Sequence, residues 1–219
     1  MKVIELRVKR HGYTNQRGAA HHSAFLCLNI NNMNKHLPKF IAAALTTLAV
    51  FYRKPQRLSN IEDRTLFLSP ADGQIVAIEP IFENEYFHDY RLQVSIFLSP
   101  IDVHYQWCSV FGNVILVEHQ DGNHNHARLP KSSSENERSL VIIETENHIV
   151  IAIRQIAGAL ARRVVTYLHP GQYVTPNTFL GLIKLGSRVD MYLPIDTELY
   201  VKNGDIVRGN ISVLGKLKS

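Results

Sequence analysis

Residues 201–209 read Val-Lys-Asn-Gly-Asp-Ile-Val-Arg-Gly. A short strand leads into a Gly204-Asp205 turn, and Val207 and Gly209 then open a second strand-like stretch. This form is common in barrel-sandwich domains. Lipoyl and biotinyl carriers also use it, but they present a Lys at a hairpin tip, often beside Met. No Met-Lys turn occurs here, so a carrier role is not expected. Working outward, β-branched runs bounded by turn residues predict strands over 65–68, 74–81, 91–98, 114–119, 139–144 and 148–153. Further strands are predicted over 188–193, 199–201 and 205–214. Residues 154–167 (RQIAGALARRVVTY) are the most helix-like segment after residue 60. The expected class is mostly β (α+β): a barrel-sandwich-like β domain with few helices, preceded by a short apolar N-terminal segment.

The 219 residues suffice for one substantial domain or two small ones, and 45% hydrophobic with 20% charged residues excludes a disordered chain. Two cysteines, Cys27 and Cys108, exclude a disulfide scaffold and a four-cysteine zinc site. The net charge of +5 is unevenly placed. Residues 1–60 hold ten Lys/Arg and one acid, or +9, and the rest holds fourteen against eighteen, or −4. A nucleic-acid-binding fold would place its basic residues on the folded domain, so nucleic acid is not expected as a partner.

The longest apolar run, Phe40 to Tyr52 (FIAAALTTLAVFY), has 13 residues. As a helix it covers roughly 20 Å, against roughly 30 Å of bilayer hydrocarbon. Lys35, His36 and Lys39 precede it, and Arg53, Lys54 and Arg57 follow. Basic flanks on both sides, without a small-residue cleavage site, fit a helix lying on or shallowly inserted in an anionic membrane better than a secretory signal. Residues 1–58 are therefore read as a basic, membrane-associating arm with its apolar segment at 40–52, and 59–219 as a β-rich domain. Ala24–Ile30 is a second short apolar piece, separated from the first by a loop over 29–34.

Reactive residues concentrate in three places: Ser69-Pro-Ala-Asp-Gly73, Phe97-Leu-Ser-Pro-Ile-Asp-Val-His104 and Leu185-Gly-Ser-Arg-Val-Asp190. Taken singly, each is an ordinary turn or loop. His119, His124 and His126 do not have zinc-ligand spacing, and no metal site is expected.

Together these stretches resemble the phosphatidylserine decarboxylases, in the short form of the proenzyme. YRKPQR from Tyr52, SPADGQIV from Ser69 and NEYFHDYRLQVSIFLS from Asn84 carry the likeness. Val103-His104, PKSSSENERS from Pro130, RQIAGALARRVVTY from Arg154 and GLIKLGSRVDMYLP from Gly181 continue it. The similarity covers about residues 50–215, in order.

The resemblance implies a self-processing enzyme cut between Gly186 and Ser187, giving a β chain (1–186) and an α chain (187–219). Ser187 would become a covalent pyruvoyl group, the cofactor, which forms a Schiff base with the amine of phosphatidylserine. Carbon dioxide is then lost and phosphatidylethanolamine released, a step of phospholipid biosynthesis. His104 matches the decarboxylation histidine and Asp72 the aspartate of the self-cleavage pair. Trp107 stands where longer members carry that pair's histidine, which leaves His104, His119 or His169 as the base. Cys108 replaces a proline and is expected to be structural. Arg138, Arg162, Arg163 and Arg188 are the candidates for holding the lipid's phosphate or carboxylate.

The partners so implied are phosphatidylserine, an anionic membrane surface on the cytoplasmic side of the cell membrane, and the two product chains of one proenzyme. A homo-oligomer is allowed. The competing readings are a pyruvoyl-dependent decarboxylase of another amino-acid or lipid head group, and an unprocessed, non-catalytic homologue.

Overall fold

The computed structural model describes residues 36–42, 45–46, 53–122, 136–158, 163–183 and 187–218. The chain divides into two units, Met1–Leu48 and Ala49–Ser219. In the first, residues 36–42 and 45–46 are helical and exposed, Leu37, Phe40, Ile41 and Leu45 among them. No helix among the described residues is long and apolar enough to cross a membrane. The remainder of the 40–52 run and the stretch 24–34 lie outside the described residues.

The second unit is β. Its strands are β1 (Leu66–Leu68), β2 (Gly73–Glu83), β3 (Asp89–Leu98), β4 (Tyr105–Trp107), β5 (Gly112–Gln120), β6 (Arg138–Thr145) and β7 (Val150–Ile156). They continue as β8 (Val164–Thr166), β9 (Tyr173–Val174), β10 (Phe179–Ile183), β11 (Ser187–Leu193), β12 (Glu198–Leu199), β13 (Ile206–Val207) and β14 (Val213–Lys216). Eight form one curled sheet in the order β13-β2-β3-β11-β7-β6-β5-β9. Two three-stranded sheets, β4-β10-β8 and β1-β14-β12, accompany it. The pairs are antiparallel, which short turns such as 84–88 and 146–149 permit.

Strand β11 sits between β3 and β7, and every residue of it is buried. Alternation sends successive side chains to opposite faces. Val189, Met191 and Leu193 join the main core with Val94, Ile96, Leu98, Ile151 and Ile153. Tyr192 joins a second cluster with Leu140, Ile142 and Ala152. Burying some twenty-five apolar side chains in the main core, at roughly 1.5–3 kcal/mol each for the large ones, is the main drive for this sheet to close.

The second face also holds charge. Arg154 donates to Glu83 at 3.1 Å, to Glu85 at 2.8 Å and to the Tyr192 hydroxyl at 2.7 Å. Arg138 donates to Glu85 at 3.0 Å. Burial pushes the Glu83 carboxyl up, but three backbone N–H groups (Phe87, Tyr86, Glu85) and Arg154 outweigh it and hold the group below its ordinary range.

The segment 154–167, expected as a helix, is not helical in its described parts. Residues 154–156 finish β7, residues 164–166 form β8, and 159–162 lie outside the described residues. The spacing of Ile156, Ala157 and Leu160 suits a helix, but partners on both sides override it. Strand β7 is paired to β11 and β6 at once. Beyond it, the Ala157 N–H donates to the Glu137 carbonyl at 2.9 Å, and Asn136 Nδ2 donates to the Ala157 carbonyl at 2.7 Å. Strands β4, β9 and β10 were not expected; they are two to five residues long, too short to show a period.

Candidate active site

The sheet register brings the three reactive stretches to one rim. Gln74, Phe97, Arg188, Ile156 and Arg138 form one row across β2, β3, β11, β7 and β6. One step toward the rim, Ser187 opposes Leu98. Asp72 lies just before β2, and the turn leading to His104 just after β3. Gly73 is required here: a Cβ would meet the Phe97 carbonyl oxygen at 2.3 Å. The backbones of β2 and β3 therefore close tightly beside Asp72.

Ser187 opens β11 and is fully buried. By alternation it shares the main-core face with Val189. Among the described residues its Oγ has no hydrogen-bond partner. A buried hydroxyl without a partner is costly unless it has work to do. Gly186, with residues 184 and 185, lies outside the described residues.

His104 is also fully buried. Its backbone carbonyl accepts from the Ile183 N–H at 3.3 Å, at the end of β10. Ile183 and Ser187 are four residues apart, so at most roughly 14 Å of chain joins them. The imidazole comes off a tight turn in which the Ser99 N–H donates to Asp102 Oδ2 at 2.7 Å and the Asp102 N–H donates to the Ser99 carbonyl at 2.9 Å. His104 Nδ1 lies 2.8 Å from the Asp102 carbonyl, which can only accept, so Nδ1 carries the proton and Nε2 the lone pair. Burial pushes the His104 pKa down to about 4, against the raising influence of the Asp102 carbonyl. At neutral pH this ring is an uncharged proton acceptor. Burial also raises the Asp102 carboxyl.

Asp72 does not present its carboxylate to a histidine as its first partner. Both its oxygens take Arg57, with Oδ2 2.9 Å from Nη2 and Oδ1 in contact with Nη1, and Oδ1 also accepts the Gly209 N–H at 2.8 Å. Trp107, where a second histidine was sought, is buried, with its ring 5.4 Å from that of Phe179 and 5.3 Å from the Arg57 guanidinium. Cys108 is buried, and burial raises its thiol pKa.

A chain of buried amides, not anticipated from the sequence, fixes the His104 backbone. Gln106 Nε2 donates to the His104 carbonyl at 2.6 Å, and Gln155 Nε2 donates to Gln106 Oε1 at 2.9 Å. The Thr166 hydroxyl lies 2.8 Å from Gln155 Oε1. The only hint in the sequence was polar residues inside otherwise β-branched runs.

Arg188 is bonded to Asp190 at 2.9 Å and, by alternation, lies on the face opposite Ser187. Arg138 is bonded to Glu85. Arg163 is exposed, and Arg162 lies outside the described residues. His119 is half-exposed, 3.6 Å from Glu137 and from Asp121. His169 is exposed. His124 and His126 lie outside the described residues.

Residues 45–215 match the family described as phosphatidylserine decarboxylase. A phosphatidylserine decarboxylase proenzyme of Bacteroides fragilis is 42% identical over 227 residues, covering 99% of this chain and 98% of the relative. Proteins of the same description from Bacteroides thetaiotaomicron (47% identical; 82% and 81% covered) and Phocaeicola vulgatus (46%; 90% and 90%) are similar to it as well.

Proposed function

The chain belongs to the phosphatidylserine decarboxylase family, a family of decarboxylases, and from this premise we propose that it is a self-processing, pyruvoyl-dependent enzyme that converts phosphatidylserine to phosphatidylethanolamine. One observation carries the reading: among the described residues the buried Ser187 hydroxyl has no hydrogen-bond partner, at the head of a central strand and directly after a glycine in sequence. That is the residue a backbone-derived carbonyl cofactor would come from, and its surroundings fit one. Ser187 and His104 are both fully buried, and His104 is held neutral at pH 7.

In the first reaction the Ser187 Oγ attacks the Gly186 carbonyl, and the proton passes to His104 Nε2. The C–N bond breaks, the Ser187 nitrogen takes up the proton, and an ester replaces the amide. Loss of the Ser187 α-proton then expels the ester oxygen, leaving Gly186 as a carboxylate and residue 187 as dehydroalanine. Water hydrolyses this to ammonia and a pyruvoyl group. A histidine with its pKa at about 4 is fit to accept a proton at neutral pH.

When formed, the pyruvoyl carbonyl supplies an electron-accepting centre for the pair left behind by carbon dioxide. His104 then delivers a proton to the former α-carbon. An anionic substrate near the ring raises its proton affinity and makes that delivery feasible. Of the four arginines singled out in the sequence, Arg138 and Arg188 already hold carboxylates, which leaves exposed Arg163 as the described one free for the lipid phosphate.

We place the enzyme at the cytoplasmic side of the cell membrane. The +9 N-terminal stretch and the exposed Leu37, Phe40, Ile41 and Leu45 favour an anionic lipid surface. Mass spectrometry of the purified protein tests the assignment. A 187–219 fragment with a pyruvoyl-blocked terminus is expected, absent in Ser187→Ala. An intact, unblocked chain from a host with the activity would refute it.

A further inference from the structure

Four polar side chains cross the interior between the eight-stranded sheet and the β4-β10-β8 sheet. Ser139 on β6 and Gln155 on β7 come from the first, and Gln106 on β4 and Thr166 on β8 from the second. Ser139, Gln155 and Gln106 are fully buried, and Thr166 is half-buried. Such groups inside β-branched strands are costly unless they find partners. Here they partner one another, and the bonds share one direction. Gln155 Oε1 can only accept, so the single Thr166 hydroxyl proton goes to it at 2.8 Å, and the Ser139 hydroxyl donates to Thr166 at 2.7 Å. Gln155 Nε2 donates to Gln106 Oε1 at 2.9 Å, and Gln106 Nε2 donates to the His104 carbonyl at 2.6 Å. The bonds run head to tail from Ser139 to His104, an order in which each polarises the next. The backbone makes room for them: a Cβ on Gly181 of β10 would lie 2.8 Å from Gln155 Nε2 and 2.2 Å from the Val165 carbonyl oxygen.

The chain of bonds bears on both proposed reacting residues. At its end, the His104 carbonyl also accepts the Ile183 N–H at 3.3 Å, four residues before Ser187. In its middle, Gln155 lies opposite Val189, two residues past Ser187 and on the same face of β11. Ser187 is thus a diagonal neighbour of Gln155 across the β7–β11 ladder, a relation that spans about 7–8 Å.

We propose that Gln155, acting through Gln106, is a positioning residue of the proposed self-processing reaction: it sets the His104 backbone against β11, and so the reach from the imidazole to the Ser187 hydroxyl. The bonds between Ser99 and Asp102 shape the turn that carries His104, and the Asp102 carbonyl orients the ring through Nδ1. The amide chain ties the end of that turn to β7 and, through the ladder, to the strand that Ser187 opens. Proton transfer needs heavy atoms about 3 Å apart, and a misplacement of about 1 Å can cost about a hundredfold in rate. Glutamine suits the post because one planar amide accepts from Thr166 and donates to Gln106, whereas leucine fills similar space and does neither.

The proposal rests on the reading of Ser187 and His104 given above, and the experiment tells their failures apart. Processing of the full-length chain is followed on denaturing gels, and the melting temperature of each variant is taken in the Ser187→Ala background. Gln155→Leu should slow processing by about a hundredfold. Gln106→Leu should do the same, and the two together no more than either alone, because they act in one chain. Ile142→Ala, in the second cluster and outside the chain, should process at nearly the wild-type rate despite a comparable fall in melting temperature. In the Ser187→Ala protein in micelles, carbon NMR should show the His104 carbonyl signal moved upfield in Gln155→Leu as in Gln106→Leu. Gln155 does not bond His104, so a merely structural role would leave that signal in place. Processing of Gln155→Leu no slower than that of Ile142→Ala, or an unmoved His104 carbonyl, would overturn the proposal. Should Gln155→Leu fail to fold, the milder Gln155→Met decides by the same two measures. Absence of processing in the wild type would refute the reading of Ser187 and the proposal with it, whereas equal processing of wild type and Gln155→Leu refutes the proposal alone.

Discussion

His104 joins chemistry to stability. Its folded pKa of about 4 lies below the ordinary histidine value of about 6.5. Below 6.5 the unfolded chain binds a proton that the folded chain does not, so stability falls as pH drops through this window and is whole above it. The 2.5-unit gap corresponds to about 3 kcal/mol. Chemical denaturation of Ser187→Ala between pH 7 and pH 4 should show a loss of that order, and His104→Gln should flatten the slope in the same range. The stretches that hold Ser187, His104 and Asp72 stood out in the sequence through the family resemblance, not through their turn-like residues, and the sheet register brings those stretches to one rim. Arg57 gave no sign of its partner. Its charge belonged to a basic run that reads as a lipid-facing arm, and nothing local to residue 57 reveals a carboxylate fifteen positions away. The pairing of Arg188 with Asp190 follows from alternation along β11, but the sheet face the pair occupies depends on how β11 packs.

Among the elements, the long strands were legible because β-branched residues recur over seven to eleven positions, enough to show a period. The 154–167 segment was misread because its apolar spacing fits a helix equally well, and only pairing on both edges of β7 decides the matter. The VKNGDIVRG stretch proved to be more than a fold marker. It ends in Gly209, where the backbone supplies two of the contacts around Asp72 and Arg57. A Cβ at Gly209 would lie 2.7 Å and 2.8 Å from two carbons of the Trp107 ring. Trp107 cannot swing aside cheaply, being fully buried against Phe179. Gly209→Ala should therefore destabilise the domain by about 1–3 kcal/mol, through overpacking. It should also slow processing more than that stability loss explains, because the hydrogen bonds around Asp72 open. A thermal melt and a gel time course check the two effects, and Gly204→Ala, with nothing within 4 Å of the new methyl but a positive φ, controls for backbone strain.

For the molecule as a whole, the proposed cut falls between β10 and β11, which belong to different sheets. The fragment that follows it supplies β11, bonded on both edges, together with β13 on β2 and β14 on β1. Such a fragment would stay in place after cleavage, since leaving would expose the buried strand β11 and much of the main core. The strap of residues 53–59 would add a second tie, because Arg57 and Asp72, before the proposed cut, bond Gly209 and Asn210, after it. This divides the N-terminal region by function at a definable position. Removing residues 1–52 takes away seven of the region's ten basic residues and the whole apolar run, but leaves the strap intact. That truncation should keep processing near the full-length rate while abolishing binding to anionic vesicles. Extending it to residue 60 removes Arg53, Lys54 and Arg57 as well, and should impair processing and loosen the 187–219 fragment in native gels. Equal processing in both truncations would show that the strap is dispensable. Equal loss in both would show instead that the residues before Arg53 are part of the fold rather than an anchor.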